Sequence, residues 1–176
     1  DEVRDVVTRI RDLLRRIKER LEELTERIRR LLEKIHKTTE DLARRNRKLI
    51  DEIRKEIDKG VEKEEVDKMI EELKKHTDET LRRIEELNDR SDKLVKRVLE
   101  EIERLIREAE KEVKKAERVI PEDVKREVKE LLDKIREDLE RVREEAKRSN
   151  EENRKRLEEV VEESERLLEE LKRRST

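Results

Sequence analysis

The chain has 176 residues, of which 59% are charged and none is aromatic, whereas about a quarter of an ordinary globular domain is charged. Its 51 Lys and Arg nearly cancel its 53 Asp and Glu, and the two signs alternate within almost every turn, so no basic face or aromatic platform exists for nucleic acid. Apolar residues make up 30% and never run longer than two, which excludes a membrane span and a broad core but allows narrow stripes along helices.

Leu, Ile and Val recur at helical spacing throughout, which a disordered chain would not show. The fold class is therefore all-α. No cysteine is present, so there is no disulfide framework or thiolate chemistry and no constraint on redox compartment. No stretch has the length of a signal peptide's apolar region. The chain reads as soluble, Asp1 in place of Met suggests a trimmed N-terminus, and recombinant cytoplasmic expression is expected.

The first helix is predicted over about 2–59. Its inward positions are Val3, Val7, Ile10, Leu14, Ile17, Leu21, Leu24, Ile28, Leu31, Ile35, Thr38 or Thr39, Leu42, Asn46, Leu49, Ile53 and Ile57. The mean step of about 3.6 residues predicts a nearly straight helix. Val7, Leu14, Leu32, Ala43 and Ile50 widen this stripe at one edge.

Gly60, the chain's single glycine, suits a helix C-terminus that needs a left-handed residue, with Val61 placed for the accompanying apolar contact. The second helix is predicted over about 63–118, with Val66, Ile70, Leu73, Ile84, Leu87, Val98, Ile102, Leu105, Ala109, Val113 and Ala116 inward. Pro121, the single proline, fits the first turn of a third helix over about 121–174, where its missing N–H costs nothing. That helix turns Val124, Val128, Leu131, Ile135, Leu139, Val142, Ala146, Leu157, Val160, Leu167 and Leu171 inward. Side-chain N-capping is weak at both loops, but acidic openings (Glu64, Glu65, Glu122, Asp123) and basic closings (Lys114, Lys115, Lys172, Arg173, Arg174) complement the helix dipoles.

Each segment of about 55 residues is about 80 Å long as a helix, and short loops make neighbours antiparallel. The expected fold is a long up-down-up antiparallel three-helix bundle with nearly straight helices, one domain over 1–176. Chain reversal near Gly60 pairs residues of the first two helices whose numbers add to about 122; reversal near Ile120 gives about 240 for the second and third.

That register aligns the polar interruptions of the stripes. Asn46 falls level with His76 and Thr77, which fall level with Ser164. A second set gathers Asn88, Ser91, Ser149 and Asn153, with His36 and Thr39 approaching from helix one and Thr80 between the sets. An unpaired buried polar group costs about 1–3 kcal/mol, so these groups are expected to meet as hydrogen-bond networks that penalise a slipped or inverted bundle. Ser and Thr can alternatively bond to a carbonyl of their own helix.

Other chemistries fit poorly. Glu33 and His36 have the E-x-x-H spacing of di-iron bundles, but Glu33 is on the solvent side and no second motif exists. His76 stands roughly 15 Å away in height, too far to share a metal. The co-occurrence of Ser, Thr and His near His76 lacks a glycine-built oxyanion hole, one glycine cannot make a phosphate loop, and Met69 is expected to fill core space. No cofactor, metal or catalytic residue is assigned.

Absent aromatics, Glu/Lys/Arg-saturated surfaces, matched helix lengths and aligned polar core positions together resemble a computationally designed helical bundle with buried hydrogen-bond networks. The resemblance implies idealised geometry, high thermal stability and no evolved activity. The function so implied is a structural scaffold that is not an enzyme and requires no partner. The alternative is one component of a designed helical hetero- or homo-oligomer, with a helical partner on an open face.

Overall fold

A computed structural model describes residues 2–175 and contains α1 (Glu2–Asp58), α2 (Lys63–Lys115) and α3 (Glu122–Ser175). Among the described residues there is no strand. Each helix carries acidic residues in its first turn and basic residues in its last, an arrangement that offsets the partial charges of the helix ends.

α1 stops at a glycine in the left-handed region. Gly60 has φ 80°, its N–H bonds to Ile57 O at 3.0 Å, and the Val61 N–H reaches back to Glu56 O at 3.2 Å. This pair of bonds is the Schellman pattern, and it satisfies carbonyls that the helix end leaves open. α2 ends at Lys115, three residues short of the expected 118. There the chain tightens: the amides of Glu117 and Val119 bond to carbonyls three residues back, at Lys114 and Ala116, a spacing that ends an α-helix. Ile120 is buried, and Pro121 supplies the first carbonyl of α3, accepting from the Lys125 N–H at 3.1 Å.

The helices contribute to two compact units, Asp1–Arg30 with Ser91–Arg148, and Leu31–Arg90 with Ser149–Thr176. In the first unit the buried residues are almost wholly aliphatic, including Ile17 of α1, Ile102 and Ile106 of α2, and Val128 and Ile135 of α3. Thr25 and Ser91 are its buried polar side chains. In the second unit three aliphatic clusters recur: Ile50, Ile53, Val66, Ile70, Leu73, Leu168 and Leu171; Leu42, Ala43 and Val160; and Ile35, Ile84 and Leu87. As α1 numbers fall across these clusters, α2 numbers rise and α3 numbers fall, so α2 runs antiparallel to the other two. The fold is an up-down-up three-helix arrangement.

Several stripe positions differ from expectation by one residue. Leu132 is buried while Leu131 is 38% exposed, and Ile106, Leu168 and Leu32 are buried more deeply than Leu105, Leu167 and Leu31. Adjacent helical residues lie about 100° apart, so a stripe that touches two neighbouring helices contains both members of such a pair. Which member faces the centre depends on the rotation of the helix about its axis.

Candidate functional site

Polar side chains inside the stripes are the candidates for any role beyond packing. In the second unit Asn46, Thr77 and Ser164 meet. Asn46 lies between Ala43 and Ile50 on α1, Thr77 between Leu73 and Leu81 on α2, and Ser164 between Val160 and Leu168 on α3, so a polar layer separates two aliphatic clusters. The Asn46 Nδ2 group donates to Thr77 Oγ1 at 3.2 Å and to Ser164 Oγ at 3.1 Å. Thr77 has one hydroxyl proton, and the shorter of its two acceptors is Leu73 O at 2.8 Å rather than Asn46 Oδ1 at 3.4 Å. Thr77 thus receives from Asn46 and passes its own proton to its helix backbone. Asn46 is 1% exposed, and in a low-dielectric interior such linked bonds polarise one another while unpaired groups cost heavily.

The numbers of Asn46 and Thr77 add to 123, and those of the ion pair Arg20–Glu101 in the first unit add to 121, close to the value that the first loop dictates. Between α2 and α3 the Arg136–Glu110 pair gives 246, further from the expected value because long side chains reach along the helices.

Other expected members behave differently. Asn153 is buried and donates to a backbone carbonyl, Leu32 O, at 3.3 Å. Thr39 is buried but bonds Ile35 O of its own helix at 2.9 Å. Thr80, half-buried, bonds His76 O at 2.9 Å. Both follow the general habit of helical threonines, whose hydroxyl reaches the carbonyl one turn back. His76 does not join Asn46: it is exposed, with Nδ1 3.9 Å from Glu79 Oε2. One residue before Thr77, it is turned about 100° out of the layer. Ser91 is fully buried with no partner at Oγ, Asn88 is half-buried with no partner at Oδ1, and Ser149 is half-buried. Thr25, not among the expected residues, is buried and bonds Leu21 O at 2.7 Å.

Around the core, arginines of one helix grip glutamates of another. Arg20 holds Glu101 through Nε at 2.8 Å, Arg156 holds Glu40 through Nε at 2.6 Å, and Arg47 holds Glu163 through Nε and Nη2 at 3.2 Å each. These two-pronged contacts, chiefly by hydrogen bonding, depress the pKa of Glu40, Glu101 and Glu163 below the ordinary carboxylate value.

Glu33 and His36 are both exposed. Among the described residues no group of three or more His, Cys, Asp or Glu is placed to hold a metal ion, and no helix is long and apolar enough to cross a membrane.

The stripes, the two tight loops and the antiparallel register define an all-α three-helix bundle protein. A solved structure described as a computationally designed three helix bundle has the same fold, with TM-score 0.52 and 20% identity over 99% of this chain and 87% of that one. No protein family and no curated protein matches the sequence.

Proposed function

We propose that this chain is a de novo designed structural scaffold without a natural biochemical activity, and that the Asn46–Thr77–Ser164 layer specifies which helix surfaces meet. The observation that carries this reading is the layer itself. It places one amide where two hydroxyls on two other helices accept its two protons, and a packing that parted them would leave buried groups unpaired, each at a cost of about 1–3 kcal/mol. The likeness of fold to a designed bundle supports the same origin.

The scaffold is proposed to act as a monomer. The wider apolar edge of α1 is no free face, because Val7, Leu14, Leu32, Ala43 and Ile50 are all buried within the chain. Light scattering coupled to size-exclusion chromatography tests this: a mass near 21.6 kDa at all micromolar concentrations is expected. A stable dimer or larger species would favour the oligomer-component reading.

A further inference from the structure

The stripes carry a second, longer period. Arg11–Ile17 (RDLLRRI), Arg29–Ile35 (RRLLEKI) and Arg47–Ile53 (RKLIDEI) begin 18 residues apart in α1, and 18 residues make five turns at about 3.6 residues each. α3 presents Glu127, Glu145 and Glu163 at the same interval. Each glutamate pairs with the arginine 116 positions earlier: Arg11–Glu127 at 2.8 Å, Arg29–Glu145 at 3.2 Å and Arg47–Glu163 at 3.2 Å. Aliphatic positions repeat likewise, as in Val66, Ile84, Ile102 and Ile120, all buried. Polar residues are single departures from such lines: Asn46 follows Ile10 and Ile28, Ser164 follows Val128 and Ala146, and Thr77 precedes Val95 and Val113.

We propose that the paired surface of α1 and α2 offers α3 of a second copy of this chain a docking register displaced by 18 residues, and that the Asn46–Ser164 contact discriminates against it. The proposal rests on the reading that the polar layer selects one packing, and it names the competitor. In the displaced register Arg11 meets Glu145, Arg29 meets Glu163, and most aliphatic lines still face aliphatic lines. Ser164, however, leaves Asn46 and comes level with Ile28.

The displaced helix must belong to another copy. A shift of 18 residues is about 27 Å along a helix, and the few residues joining α2 to α3 span at most about 3.6 Å each. Asn153 does not discriminate in the same way. Its acceptor is the Leu32 carbonyl, and the carbonyl 18 residues earlier, at Leu14, stands at the equivalent place in the repeat.

The test uses cross-linking between chains. One full-length chain carries Arg11→Cys and another either Glu145→Cys or, for the undisplaced register, Glu127→Cys, in the parent background and in a background with Asn46→Ile, Thr77→Val and Ser164→Val. Each pair is mixed unfolded, refolded, and treated with a bifunctional thiol reagent. Arg29→Cys with Glu145→Cys in a single chain confirms the reagent's reach. The expected result is an Arg11→Cys/Glu145→Cys hetero-dimer enriched at least about fivefold in the aliphatic background, with an Asn153→Ile background resembling the parent.

No enrichment, or enrichment confined to chains cross-linked through Arg11→Cys and Glu127→Cys, overturns the displaced register. Equal enrichment in the Asn153→Ile background overturns the assignment to Asn46 and Ser164. The broader reading of the layer is judged separately, from the uniformity of the amide spectrum of the aliphatic variant before any cross-linking.

Discussion

Asn46 and Ser164 stand 118 positions apart in the chain, yet the Asn46 Nδ2 group donates to Ser164 Oγ across 3.1 Å of buried space. Two turns of chain bring them together, and every contact that depends on those turns should respond when either residue is changed.

Replacing Asn46 with Leu removes both donors at once. The hydroxyl of Thr77 keeps its bond to Leu73 O, so the change in stability should be within about 1 kcal/mol of zero and can be favourable. Helicity by circular dichroism should be retained, while the amide spectrum should broaden or double as alternative packings become populated. A sharp single set of peaks with parental amide protection would count against a specifying role for the layer.

The core offers a contrast of two side chains. Ile102 is fully buried whereas Leu131 is 38% exposed. Ile102→Ala should cost about 2–5 kcal/mol in chemical unfolding through lost burial and the cavity left behind. Leu131→Ala should cost no more than about 0.5 kcal/mol. Equal losses at the two sites would mean that the rotation of α2 or α3 described above is wrong.

Much of this was legible from spacing. The breakers at Gly60 and Pro121 mark both reversals, and the first loop alone brings Asn46 to Thr77 because a short connection leaves no freedom of register. The choice between Leu131 and Leu132 was not legible, since both lie within one stripe and only contact with two neighbours decides the rotation. Thr25 was missed although a signal existed: Val7, Leu14, Leu32, Ala43 and Ile50 follow one another at intervals of 7, 18, 11 and 7 residues, and position 25 divides the interval of 18 into 11 and 7. Thr39 is buried and Thr80 half-buried, but helical geometry gives a threonine hydroxyl a carbonyl of its own helix to bond, and that local option wins over a distant partner.

Gly60 should tolerate little. A Cβ there would meet no atom within 4 Å, but φ is +80°, so Gly60→Ala should cost roughly 1 kcal/mol from backbone strain alone. Thermal unfolding should report this loss with no change in helix content. An unchanged or raised melting temperature would show that α1 does not end in the left-handed turn.

Acid should weaken the fold. The pKa values of Glu40, Glu101 and Glu163 are lowered in the folded chain by hydrogen bonds from Arg156, Arg20 and Arg47. Their stabilisation is therefore present above the unfolded carboxylate value of about 4.3 and disappears as pH falls through the lower folded values. The melting temperature should decline from about pH 5 to about pH 3, and Glu101→Gln should flatten part of that decline. Each pair contributes no more than about 1 kcal/mol. A melting temperature that stays level or rises over this range would contradict the role given to these pairs.

The most direct test is the side-chain amide of Asn46, followed by hydrogen exchange and by nuclear Overhauser contacts. Both Nδ2 protons should exchange at least about a hundredfold more slowly than those of a solvated asparagine, with cross-peaks to the β-protons of Thr77 and Ser164. Exchange at the solvated rate, or contacts to aliphatic side chains alone, would mean that the three residues do not meet in the core.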